Sequence, residues 1–148
     1  HLLHCFKCFH RETAKGLFPI EHSGKCTECG SKLSVAGPLW LGRIFDRQFR
    51  DLMGVEANRR RLRLGEKVAK ILSSIKSEAE APITYYVIDK ISDMLNLPVP
   101  PVKQVMETLI REGFEASLTH FNPKGIRTDA SAGKMKELVQ FAAKRPER

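Results

Sequence analysis

Cys5-Phe-Lys-Cys8 and Cys26-Thr-Glu-Cys29 hold all four cysteines of the chain, as two C-x-x-C pairs separated by a 17-residue spacer. Thiolates at this spacing are the ligand set of a structural zinc site. Each C-x-x-C turn lets two sulfurs converge while backbone N–H groups point at them, and Gly30 suits the tight turn that comes after Cys29. Two such knuckles on two hairpins make a zinc ribbon. A pair of disulfides would need an oxidising compartment, and no signal peptide is visible. A thioredoxin-like redox pair would need a βαβ surround, which neither pair has. His1, His4, His10 and His22 lie nearby. With four cysteines present they read as solvent- or RNA-facing imidazoles rather than ligands.

No other catalytic pattern stands out. There is no Gly-rich phosphate loop, no G-x-S-x-G and no H-E-x-x-H. Charge points to binding instead. Lys and Arg number 25 against 17 Asp and Glu, a formal net charge of +8. A basic chain of 148 residues meets phosphate, in nucleic acid or on an anionic membrane. No apolar run reaches the roughly 18 residues of a membrane span, so nucleic acid is the expected partner and the membrane is not. Residues 43–63 concentrate the charge, with Arg43, Arg47, Arg50, Arg59, Arg60, Arg61 and Arg63 against Asp46, Asp51 and Glu56. Arginine forks match phosphate oxygens. The alternative is a solvated helix face with pairs such as Asp46 and Arg50, and the Arg59–Arg63 cluster favours phosphate over it. A second candidate surface is His120, Phe121, Lys124, Arg127 and Thr128, where cations flank an aromatic ring, a common way to hold an RNA backbone and an unstacked base.

The elements that position these groups are set by periodicity. Residues 1 to about 36 lack an apolar period and read as a small metal-clamped β element, which needs a staple because it has no core of its own. Gly37-Pro-Leu-Trp-Leu-Gly42 is a turn, with Trp40 expected as an apolar anchor joining the ribbon to the next domain. Helical spacing then runs through Leu41, Phe45, Phe49 and Leu52, and again through Leu64, Val68, Ile71, Leu72 and Ile75. A third helix is expected from about Thr84 through Ile88, Ile91 and Leu95. A fourth starts at Pro101 and ends at Gly113, with Val102, Val105, Met106, Leu109 and Ile110 on one face. Phe114, Ala116 and Leu118 alternate with polar residues as a strand, and residues 125–129 make a second, shorter one. Ser131 or Asp129 caps a last helix bearing Met135, Leu138, Val139 and Ala142. The fold class is α+β: a small zinc-ribbon-like β element and linker over residues 1–42, then a winged-helix-like domain over 43–148.

Taken together, the two cysteine pairs, Ala36-Gly-Pro-Leu-Trp-Leu-Gly42 and Thr119-His-Phe-Asn-Pro-Lys-Gly-Ile-Arg-Thr-Asp-Ala130 resemble the C-terminal domain of tRNA (guanine-N2-)-dimethyltransferases. The resemblance covers nearly the whole chain. It implies an enzyme that methylates the N2 amine of guanine 26 in tRNA with S-adenosylmethionine. The cofactor site and Asp-Pro-Pro-Tyr-like motif of such enzymes lie in an upstream Rossmann-like domain. Asn122-Pro123-Lys124 does not match that motif, so no catalytic residue carries over. The resemblance therefore implies structural zinc here, S-adenosylmethionine elsewhere, and tRNA and the upstream methyltransferase domain as partners. It further implies a monomeric protein in the cytoplasm. A start at His1 without methionine fits a piece of a longer protein. The rival reading is a zinc-ribbon and winged-helix transcription or polymerase accessory factor. A third is a structural module that touches no nucleic acid.

Overall fold

A computed structural model describes residues 1–16, 24–60 and 62–144. In it the chain is α+β, with two three-stranded antiparallel sheets and five helices among the described residues. Strands β1 (Leu2–His4), β2 (Arg11–Thr13) and β3 (Ser34–Ala36) form the first sheet in the order β2-β1-β3. Its apolar interior holds little beyond Leu3, Ala14, Leu33 and the cysteines.

Helix α1 (Arg47–Arg59) begins later than the apolar spacing predicts, because Asp46 caps it and accepts the Phe49 N–H at 2.7 Å. Gly54 falls inside it rather than near its end. Its expected core face is not a core face: none of its residues is buried, and Phe49 is 65% exposed. The helix packs on α2 (Gly65–Glu78), and the described residues offer nothing to cover its other apolar side. Trp40 departs from expectation in the same direction. It is 78% exposed, its Nε1–H donates to the Arg43 carbonyl at 2.9 Å, and its ring lies so close to Gly42 that a Cβ there would sit 2.6 Å from it.

The predicted third helix would include Tyr86 and Val87, which instead form β4 (Tyr86–Val87), paired with Ile126 and Gly125. Two residues of strong β preference found a sheet edge, and helix α3 (Ile88–Leu95) starts only after them. Helix α4 (Val102–Arg111) begins after Pro101, which is its cap, and the Gly113 N–H returns to the Ile110 carbonyl. Strands β5 (Ala116–Leu118) and β6 (Gly125–Thr128) complete a sheet of order β4-β6-β5, and α5 (Ala132–Ala143) starts at Ser131, whose hydroxyl accepts the Lys134 N–H.

β6 is central and buried along its whole length. Strand side chains alternate between faces. Ile126 thus joins the main core with Ile88, Ile91, Val105, Leu109, Met135, Leu138 and Val139, while Arg127 turns to the other face. There Glu78, at the end of α2 and fully buried, receives the Arg127 Nε–H at 2.8 Å. Phe114 and Ala116 pack against the main core as the alternation predicts, whereas Leu118 is exposed and Ser117, opposite Arg127 in register, is buried on the other face.

Removing one partner of a buried ion pair leaves the other charge stranded, at about 3–5 kcal/mol. Glu78→Leu and Arg127→Leu should each lower the unfolding free energy by about that much in urea melts. The double variant should recover a large part of the loss. Additive losses would show that the two side chains do not act as a pair.

Candidate metal centre and nucleic-acid interface

The two C-x-x-C turns are local repeats. The Phe9 N–H donates to the Cys5 carbonyl (2.8 Å) and the Gly30 N–H to the Cys26 carbonyl (2.9 Å). The Cys5 N–H donates to the His10 carbonyl (2.9 Å) and the Cys26 N–H to the Ser31 carbonyl (2.7 Å). The residue after each second cysteine has positive φ, 69° at Gly30 and 64° at Phe9. Glycine takes this conformation without strain, whereas Phe9 is held in it by packing on the main core.

These turns bring four free thiols together. Cys5 and Cys29 Sγ are 3.5 Å apart, as are Cys8 and Cys26 Sγ, and all four sulfurs lie within 4.8 Å of one another. A tetrahedron with metal–sulfur bonds of about 2.3 Å has edges of about 3.8 Å, so the donor set fits a tetrahedral thiolate-bound metal ion. Without a metal the thiols are at odds. Burial pushes Cys8 up to about 12, while the hydroxyl and N–H of Ser31 hold Cys29 down to about 6. A dication at the centre would stabilise all four as thiolates. Of the nearby histidines, His10 is engaged elsewhere. His10 Nδ1 is 3.2 Å from Glu28 and its Nε2 is 3.4 Å from Thr27, tying one knuckle to the other. His4 packs edge-to-face on Phe6, His1 is buried, and His22 lies outside the described residues.

The expected RNA-facing residues divide into two groups. Arg127 is 3% exposed and Thr128 is buried, which removes both from any surface. The Arg127 guanidinium is used up by Glu78 and by the carbonyls of Pro82 and Ile83, and the Thr128 hydroxyl accepts the Ala130 N–H. They hold the turn from within. His120 and Phe121 are exposed on that turn. The His120 N–H (2.9 Å) and its Nδ1 both engage Glu78 Oε1, so Nδ1 is the protonated ring nitrogen facing that carboxylate. Phe121 stands edge-to-face with Tyr85 and with His120. Lys124 reaches Asp89 at 2.6 Å.

Arg59 and Arg60 are exposed at the end of α1 and share the Glu56 carboxylate at 3.0 and 3.1 Å. Arg63 is exposed just beyond, and Arg61 lies outside the described residues. Arg43 and Arg47 both turn to Glu80, and Arg50 to Asp51. Sequence reading missed Glu78, whose Ser77-Glu-Ala-Glu-Ala81 setting looks like a solvated helix end. It also missed Arg11, whose guanidinium lies 4.1 Å from the Tyr86 ring centroid and ties the first sheet to the second.

The fold and the site define a four-cysteine module, its thiols close enough to hold a metal ion, joined to a helix-and-sheet domain with exposed cationic and aromatic surfaces. A family model described as N2,N2-dimethylguanosine tRNA methyltransferase matches residues 1–140. A tRNA (guanine(26)-N(2))-dimethyltransferase of Methanobrevibacter smithii is 44% identical over 140 residues, covering 95% of this chain and 36% of the relative. A tRNA (guanine(26)-N(2)/guanine(27)-N(2))-dimethyltransferase of Aquifex aeolicus is 32% identical, covering 93% of this chain and 35% of the relative. Among solved structures, Trm1 from Pyrococcus horikoshii in complex with S-adenosyl-L-methionine superposes with a TM-score of 0.73 at 26% identity, over 93% of this chain and 34% of that one. The chain belongs to the N2,N2-dimethylguanosine tRNA methyltransferase family. It spans about a third of the length of the relatives it matches.

Removal of the metal should act unevenly, because the cysteines and the main hydrophobic core are separate clusters. The purified protein is expected to carry one zinc per chain. Cys26→Ser should release it and expose residues 1–36 to proteolysis while the α3–α5 core stays folded. Intact protection of residues 1–36 without metal would show that packing alone holds them.

Proposed function

We propose that this chain is the tRNA-binding C-terminal part of an S-adenosylmethionine-dependent enzyme that mono- or dimethylates the N2 amine of guanine 26 in tRNA. The family match over residues 1–140 carries this reading. On it, S-adenosylmethionine and the flipped guanine belong to a methyltransferase domain outside the present chain, and the protein acts as a cytoplasmic monomer. Among the described residues no helix is long and apolar enough to cross a membrane. Cys5, Cys8, Cys26 and Cys29 hold zinc, whose role is to fold the first sheet and not to take part in methyl transfer. The order α2-β4-α3-α4-β5-β6 with sheet order β4-β6-β5 supports a winged-helix assignment, with residues 114–129 as the wing.

His120, Phe121 and Lys124 on the wing turn, with Arg59, Arg60, Arg61 and Arg63, form the proposed tRNA surface. Phosphate contacts of this kind release counterions, so affinity falls with salt. Charge reversal at Arg59, Arg60 and Arg63 in the full-length enzyme should raise KM for tRNA with little change in kcat. It should also flatten the salt dependence by roughly 0.7–0.9 in log–log slope for every phosphate that goes unneutralised. Unchanged KM and slope would remove these arginines from the interface.

The exposed side of α1 is the proposed docking face for the methyltransferase domain. Phe49, Leu52 and Val55 stand exposed there, and a contiguous apolar patch of this kind marks an interface. The chain's share of about a third of its relatives' length leaves most of such a protein to cover it. Leu52→Glu with Val55→Glu should lower kcat and thermal stability in the full-length enzyme and leave the zinc content unchanged. Wild-type kcat and stability would exclude α1 from the interface.

A further inference from the structure

Where the chain enters β4, it runs alongside the first sheet, and a cleft of about 320 Å³ opens between them. Leu2, His4 and Arg11 line one wall, from β1 and β2. Thr84, Tyr85 and Val87 line the other. Neither wall belongs to the residues that the tRNA reading above uses. The volume lies at the lower end of the range for sites that hold a small ligand.

The cleft interrupts a line of aromatic rings. On one side His4 meets Phe6 at 4.6 Å between centroids, and Phe6 is 73% exposed. On the other, Tyr85 meets Phe121 at 5.1 Å, and Phe121 meets His120 at 5.0 Å. His4 and Tyr85 both line the gap that the rest of the line leaves open. Arg11 sits on the same wall as His4. Its guanidinium lies over Tyr86, and it has no carboxylate partner among the described residues. Desolvated cations are ordinarily paired, so a partly buried arginine without an acid, beside two aromatic walls, is suited to a planar ligand with acceptor oxygens. The net charge of +8 brings polyanions to this surface. An acidic or aliphatic peptide would use the arginine or the apolar wall but not both stacking faces.

We propose that this cleft receives one unstacked nucleobase of the bound tRNA, held against His4 and Tyr85, with Arg11 donating to the base edge or its phosphate. This rests on the tRNA-binding reading above and gives the metal-bound sheet a part in it. The sheet supplies one wall of the site, so the metal that folds the sheet also sets the width of the cleft. A base captured there would lie between the metal knuckle and the wing turn and would fix how the tRNA body is oriented.

The test uses the full-length enzyme and a tRNA transcript carrying 4-thiouridine. In the wild-type protein, photocrosslinks should map to residues 2–11 and 83–87. Tyr85→Ala and His4→Ala should each weaken tRNA binding by about 5- to 100-fold, the range for removal of one stacking ring. The salt slope should be unchanged, because every phosphate partner is retained. Tyr85→Phe should bind as the wild type does. The double alanine variant should lose less than the product of the single losses, because both rings touch one base. Melting curves and zinc content identify a variant that fails to fold, and the wild-type crosslink map then decides the question. Normal binding by both alanine variants, or crosslinks confined to other segments, would overturn the cleft. If charge reversal at Arg59, Arg60 and Arg63 still weakens binding in that case, the tRNA reading stands without it. If no variant changes tRNA affinity and no crosslink forms in this chain, both fail together.

Discussion

Glu78 is a carboxylate with no access to water, and the exposed turn between β5 and β6 takes its position from it. A buried charge without partners would be prohibitively unfavourable. Its two oxygens are therefore satisfied, one by the Arg127 guanidinium and the other by the N–H and ring of His120. Through Arg127 the same carboxylate reaches the carbonyls of Pro82 and Ile83. One group thus ties the end of α2, the approach to β4, the centre of β6 and the start of the turn. Such a network costs desolvation and contributes little net stability compared with an apolar core. What it supplies is position: His120 and Phe121 can be exposed and still ordered because the residues behind them cannot move independently.

The two sheets reach order by different means. The helical domain closes around Ile88, Ile91, Leu109, Ile126, Met135 and Leu138, and burial of such side chains is enough to hold it. The first sheet has strands of three residues and almost no apolar interior, and four thiols placed close enough to hold a metal ion stand where a core would be. Phe9 and Arg11 make the joint between them, one by packing on the main core and the other by lying over Tyr86.

The surface is divided by the same logic. Cations gather at the end of α1, while its apolar side chains stay uncovered. The four cysteines and the Glu78–Arg127 pair are titratable groups held inside the fold.

How much of this is legible in the sequence depends on the range of the interaction. The cysteine knuckles can be read because their ligands are three residues apart and the turn is local. The helices of the main core can be read because Val105, Leu109, Met135, Leu138 and Val139 recur at the helical period. The same period misleads at Phe49 and Leu52, since periodicity says which residues share a face but not whether anything covers it. Trp40 misleads for that reason too. Arg127 and Thr128 look like surface groups because residue type alone favours exposure for arginine and threonine. Their burial depends on Glu78, 49 residues from Arg127 along the chain. Tyr86 and Val87 are a strand only because β6 is there to pair with them. Residue type and near-neighbour spacing were enough for the two cysteine pairs, the order of the helices and the positive charge. Which charges are buried, which apolar faces are bare and where the two sheets leave a cleft became visible in the fold alone, because those depend on contacts between residues far apart in the chain.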